Sequence, residues 1–160
     1  MSDDRARRNL LRHALATLAY RGAKAFRDAP PQFADFRPAS GSRSAGEILA
    51  HIGDLLDWGA GLAKGKHKWR ESPVLPWGEG VARFHTSLER FDSVLASDDG
   101  LGFSAEQLFQ GPIADSFTHV GQIAMLRRLA SAPVKGENYA KADIVTGRVS
   151  QAQAMPNVEF

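Results

Sequence analysis

Asp115 and His119 stand four residues apart in Asp115-Ser-Phe-Thr-His119-Val-Gly-Gln122-Ile-Ala-Met-Leu126, inside a pattern of helical period. Four residues is slightly more than one helical turn, so the carboxylate and the imidazole project from one face. A pair so placed suits a hard or borderline cation. A further candidate, His51, lies in Ile48-Leu49-Ala50-His51-Ile52, well inside another apolar helix, and shares a face with Ile48 and Leu55. Two histidines and one carboxylate favour zinc or nickel first, then iron or manganese, over calcium and magnesium. Three protein ligands would leave at least one position for water or substrate. For zinc, ligand distances of about 2.0–2.2 Å are expected.

A plainer reading competes with this one. Asp115 and His119 would make an ordinary ion pair on a helix surface, and His51 would be a hydrogen-bonded core histidine. Gln122 follows His119 on the same line and could orient a ligand or a bound water; helix packing is its commoner use. Glu47, Asp54 and Asp57 share the helix of His51. Asp54 is the candidate to support a ligand from behind, although a solvated face is the ordinary setting for these acids. His13 is expected at a boundary, His85 packed or hydrogen-bonded, and His67 exposed in a lysine-rich loop. Arg127 and Arg128 could guide an anionic substrate, but a helix C-terminus explains them more simply. No side chain stands out as an independent general base, so catalytic residues are not assigned.

The composition bounds the remaining possibilities. With 160 residues, 43% hydrophobic and 24% charged, the chain fits one domain with a real core. The absence of cysteine excludes disulfides, thiolate nucleophiles and sulfur-bound zinc. A net charge of +2 is too small an imbalance to argue for nucleic acid. The first residues lack the apolar core of a secretory signal, and no apolar run approaches a membrane span, so a cytoplasmic protein is expected.

Four helices must position the three ligands. The first is expected from about Asp4 to Asp28, ending before Pro30-Pro31. Gln32 to Gly41 reads as a loop with a short extended piece at Phe33 to Phe36. The second helix opens at Ser44-Ala45-Gly46-Glu47, the spacing of a capping box, and runs through His51 to about Ala63. The third spans Trp77 to Ala96, with Val81, Phe84, Leu88, Phe91 and Leu95 at three- and four-residue steps. Ser104 to Gln107 repeats the capping-box spacing for a short helical turn. The fourth helix is expected to restart at Gly111-Pro112 and reach Ala130. Trp58, Trp69 and Trp77 sit where core or interface packing is usual, though they could line a pocket. These elements predict an all-α four-helix bundle over about residues 4–131, followed by an irregular tail over 132–160, in one domain covering 1–160. The connection between helices two and three has about 12 residues, enough to span roughly 40 Å. It could return along a helix of roughly 30 Å and leave the two parallel. In the tail, Lys135-Gly136-Glu137-Asn138-Tyr139 could fold over the bundle mouth, although a surface turn fixed by Tyr139 is the commoner arrangement.

The segments Ala45-Gly46-Glu47-Ile48-Leu49-Ala50-His51-Ile52 and His119-Val120-Gly121-Gln122-Ile123, followed by Leu126-Arg127, resemble the DinB-like, or YfiT-like, superfamily of metal-dependent proteins. The resemblance spans roughly Arg5 to Pro133. It implies a four-helix bundle with a long crossover between helices two and three, and commonly a homodimer. It also implies a metal set of one histidine from the second helix and two, four apart, from the last. His51 and His119 match the outer two positions. Asp115 stands where histidine is more usual, and Val120 where arginine is often found.

The resemblance includes thiol-dependent transferases and isomerases. The expected function is therefore a metal-dependent enzyme acting on a small molecule through activated water or a low-molecular-weight thiol. Hydrolase and transferase chemistry both remain open. The alternative class is a non-catalytic bundle, with a structural metal or none, serving interaction or stress response.

Overall fold

Local chemistry sets where each helix starts and stops. In the computed structural model, which describes residues 3–160, α1 spans Asp3–Phe26. Two aspartates occupy its first turn, at the positive end of the helix dipole. Asp28, in a left-handed conformation at φ 58°, turns the chain away before Pro30. Helix α2 spans Ala45–Ala63 and begins with the capping box: the Ser44 hydroxyl accepts from the Glu47 N–H, and the Glu47 carboxylate accepts from the Ser44 N–H. Helix α3 covers Trp77–Ala96 after Pro76, and the one-turn α4 covers Ala105–Leu108 from a second capping box at Ser104 and Gln107. Helix α5 covers Ala114–Leu129.

Two expectations change at prolines. The stretch Phe33 to Phe36 is not extended: Pro31 begins a single 3-10 turn over Pro31–Asp35, since its fixed φ suits a first helical position. The last helix does not restart at Pro112. The chain stays helical from α4 into α5 through a π-type turn over Phe109–Ile113 that contains Pro112. Proline has no N–H to donate inside a helix, and a widened turn accommodates that missing bond without breaking the rod.

Residue pairing gives the arrangement of the four long helices. Between α1 and α3, Arg12 bonds Asp92 while Phe26 packs on Phe84 and Trp77, so the two run in opposite directions. Between α2 and α3, Arg83 bonds Asp54 and Arg90 bonds Asp57, while Gly59 faces Phe91; numbers rise together, so these two run the same way. Between α2 and α5, His51 meets His119 and Gly59 meets Pro112, an antiparallel pairing. Arg127 near the end of α5 donates to the carbonyls of Ala25, in the last turn of α1, and Arg27, just beyond it. The bundle is therefore a ring in the order α1, α3, α2, α5, filled by Leu15, Leu18, Ile52, Leu56, Phe84, Leu88, Phe91 and Ile123. No helix among the described residues is long and apolar enough to cross a membrane.

Close helix approach is visible at Gly59, where an added Cβ would lie 2.5 Å from a ring carbon of Phe91 and 3.0 Å from Pro112. Both neighbours are held in the core. Gly59→Ala is expected to lower stability by about 1–3 kcal/mol, despite alanine's better helix propensity. Denaturant unfolding of the two proteins checks this.

The tail binds back onto one side of the ring. The Glu137 side chain is fully buried and accepts from the Tyr20 hydroxyl at 2.5 Å and from Lys24 Nζ at 2.9 Å. Lys24 also bonds Glu159, which pairs with Glu137 in an antiparallel bridge. Tyr139 packs edge-on against Tyr20, beneath the guanidinium of Arg21. Further along, Thr146 bonds His13 and the carbonyl of Val149 meets His85 Nδ1. Burial pushes the His85 pKa down, against the bond to Val149, so the ring is neutral and donates there. After Ala132 the tail's hydrogen bonds to the helices thus go to α1 and α3, not to the α2–α5 side.

Candidate metal centre

The capping box fixes the phase of α2, so that Ile48, Ile52 and Leu55 turn inward and His51 comes to the edge facing α5. On α5, Ser116, Val120 and Ile123 are buried, and this sets Asp115 and His119 at the opposing edge. The Ser116 hydroxyl donates to the Pro112 carbonyl at 2.7 Å, tying the start of α5 to the π-type turn.

The three residues named from the sequence meet. His51, Asp115 and His119 each offer one ligand atom, all within 4.8 Å of one another, and the group could hold a metal ion. The carboxylate of Asp115 lies between the two imidazoles, with Oδ1 3.4 Å from His119 Nε2 and Oδ2 3.9 Å from His51 Nε2. The two rings are perpendicular, their centroids 4.7 Å apart. Ligands on a tetrahedral ion with bonds of about 2.1 Å stand about 3.4 Å apart, so only a small closure separates this set from coordination. Side-chain exposures of 19% for His51 and 12% for His119, against 47% for Asp115, leave one side of the group open to solvent. A non-protein ligand could enter from there.

Protonation favours the same use. The pKa of His51 is lowered first by burial, then by the charges of Arg43 and His119, against the pull of Asp115 and Asp54. Its ring is therefore neutral near pH 7, the form that ligates. His119 Nδ1 lies 2.8 Å from Gln122 Oε1. An amide oxygen only accepts, so Nδ1 carries the proton and Nε2 keeps its lone pair toward Asp115. Gln122→Ala frees that ring to rotate and tautomerise. Metal affinity is expected to fall roughly 10- to 100-fold, as read by competition with a chromophoric chelator.

Asp54 and Asp57 do not lie on a solvated face. Asp54 is buried, accepts from Arg83 at 2.6 Å and from the Ser72 backbone N–H at 3.1 Å. Asp57 binds Arg83 and Arg90. Asp54 therefore joins α2 to α3 and to the crossover, and none of its hydrogen bonds goes to the three ligand candidates. Arg127 is likewise engaged with backbone carbonyls of Ala25, Arg27 and Ala132. His67 is exposed, with its ring against Trp58 and Phe103.

Sequence reading offered Trp58 and Trp69 as pocket residues but not their relation to His51. Trp69, from the crossover, sets its ring 5.6 Å from that of His51 and 5.9 Å from that of Trp58. A cleft of about 410 Å³ opens beside His51, lined also by Arg37, Arg43, Glu47, Asp54 and Glu71. No periodicity marks Trp69 or Arg43, because both lie in irregular chain whose path is set by tertiary contacts.

The geometry defines a helical bundle with a candidate mononuclear site of two nitrogens and one carboxylate. No known protein family, curated protein or solved structure matches this chain.

Proposed function

We propose that the protein is a metal-dependent enzyme of the DinB-like kind, using His51, Asp115 and His119 to hold zinc or nickel, with iron or manganese as alternatives, and activating water or a low-molecular-weight thiol. The observation that carries this reading is the convergence of three ligand atoms within 4.8 Å, from helices more than sixty residues apart in sequence. The parallel run of α2 and α3, joined by residues 64–76, supports the crossover topology expected of such proteins. A homodimer and a small-molecule substrate belong to the same proposal.

A bound divalent ion at this set supplies a Lewis acid that lowers the pKa of water or a thiol and polarises a carbonyl. The chain's own residues do the rest. Gln122 holds the His119 tautomer, Trp69 shields one face of His51 from solvent, and Asp115 leaves one edge of the site open. A carboxylate in place of a third imidazole adds negative charge to the set, which favours a harder ion than an all-nitrogen set would.

A second reading has its own observation: Asp115 lies within ion-pair range of both histidines, so a proton shared among them would also stabilise the cluster. The two readings separate on metal content and on activity. Metal-loaded protein is incubated with an electrophile, with and without small thiols, and with hydrolysable esters and amides. Thiol conjugation that disappears in His119→Ala supports a transferase; metal-dependent hydrolysis without thiol supports a hydrolase. Stoichiometric metal with neither activity favours a structural site, and failure to take up any metal favours the shared proton.

A further inference from the structure

Most arginines of the bundle have partners: Arg8, Arg12, Arg37, Arg83, Arg90 and Arg127 all hold carboxylates or carbonyls. Arg43 differs. It is exposed, lines the cleft beside His51, and has no hydrogen bond or ion pair with any described residue. Its charge acts on the His51 imidazole and on the Glu47 carboxylate, which Arg37 holds by hydrogen bonds. The other cation of the cleft, Arg37, is held by Glu47 through both guanidinium nitrogens. Of the carboxylates there, Glu47 and Asp54 are engaged by Arg37 and Arg83, and Glu71, on the crossover side, has no hydrogen bond or ion pair among the described residues.

We propose that Arg43 is a specificity-determining residue, binding the terminal anionic group, a carboxylate or phosphate, of a substrate whose reacting end lies at the His51, Asp115 and His119 group. The inference rests on the metal-site reading above and names the substrate class of that site. Distance is consistent with it. His51 lies seven residues beyond Ser44, roughly 10 Å along the axis of α2. Arg43 immediately precedes Ser44, so a ligand covering the intervening cleft would join the two. Glu71 orients such a ligand, since its charge repels the anionic end toward Arg43. A guanidinium with no internal partner forms charge-assisted bonds to the ligand without first breaking others.

The test uses protein loaded with cobalt(II) and two probes of equal length, 6-mercaptohexanoate and 6-mercaptohexanol, titrated while the thiolate-to-cobalt absorption band is followed. The carboxylate probe is expected to bind roughly tenfold tighter than the alcohol, a difference of about 1.4 kcal/mol. In Arg43→Gln that preference disappears, while cobalt binding and alcohol-probe affinity stay as in the parent. In Arg43→Lys part of the preference returns, because charge is kept but the bidentate fork is lost. Equal affinities in the parent protein, or a carboxylate preference that survives Arg43→Gln, overturn the role of Arg43 alone. Failure of cobalt to bind overturns the metal reading and this one with it.

Discussion

His51→Ala is expected to strip the protein of stoichiometric metal while leaving the bundle folded. The substitution removes one of three ligand atoms and leaves an Asp–His pair on a single helix. Removing a group that merely orients a ligand costs 10- to 100-fold in affinity, so loss of the ligand itself is expected to exceed roughly a hundredfold. Alanine is a better helix former than histidine, and the His51 side chain is partly exposed, so the fold of α2 is preserved. A second readout follows from linkage. At a metal concentration of about 100 times Kd, binding stabilises the parent by about 2.7 kcal/mol, and the variant loses that increment. Elemental analysis of both proteins, together with thermal melts with and without added metal, reads both effects. Full metal content in His51→Ala would remove the three-ligand assignment.

The other large effect is expected in the tail. Glu137→Ala leaves the Tyr20 hydroxyl without its acceptor and the buried Lys24 ammonium with Glu159 as its remaining partner, so the cost falls toward the lower end of the roughly 3–5 kcal/mol of a broken buried pair. The tail that Glu137 anchors should then be released. Limited proteolysis is expected to cleave within residues 133–150 of the variant before the helices are attacked. Replacing both members, Lys24→Met with Glu137→Leu, should recover part of the loss, because no fully buried charge remains while the part-exposed Glu159 turns to solvent.

This pair also sets a pH window. Burial alone would raise the Glu137 pKa, but the bonds from Tyr20 and Lys24 outweigh it and hold the carboxyl below its ordinary value. Burial would likewise lower Lys24, and its bonds to Glu159 and Glu137 outweigh that and raise it. A depressed carboxyl contributes stability above its unfolded pKa and loses it as pH falls through the folded value. A raised ammonium contributes below its unfolded pKa and loses it as pH climbs through the folded value. The contribution is therefore complete between about pH 5 and about pH 10 and declines outside both limits. Melting temperatures followed from neutral pH down below about pH 5 should show the acid decline in the parent, with a shallower dependence in Glu137→Ala.

The parts legible in the sequence are those carried by local periodicity and local caps. Ser44 and Glu47 announced the start of α2, the run from Val81 to Leu95 announced α3, and four-residue spacing placed Asp115 and His119 on one face. Joining them to His51 required only that apolar faces turn inward. Pro112 was misread because a proline at a helix start and one inside a π-type turn look alike until the preceding residues are known to be helical. Asp54 looked solvated because its partner, Arg83, lies 29 residues away on another helix. The segment around Glu137 was noticed, but its pairing gave no signal: the partners are in α1, more than a hundred residues earlier. Long-range charge pairing has no period to read.

The indoles make the molecule its own optical reporter. Trp69 stands beside His51 and Trp58 stands beside Trp69, whereas Trp77 is packed against Phe26 and Phe33 with its Nε1–H donated to the Phe26 carbonyl. A paramagnetic ion seated at the histidines would quench the emission of the first two and spare the third. Occupancy and unfolding could then be followed separately in one unlabelled sample, the one through the quenched pair and the other through the remaining buried indole.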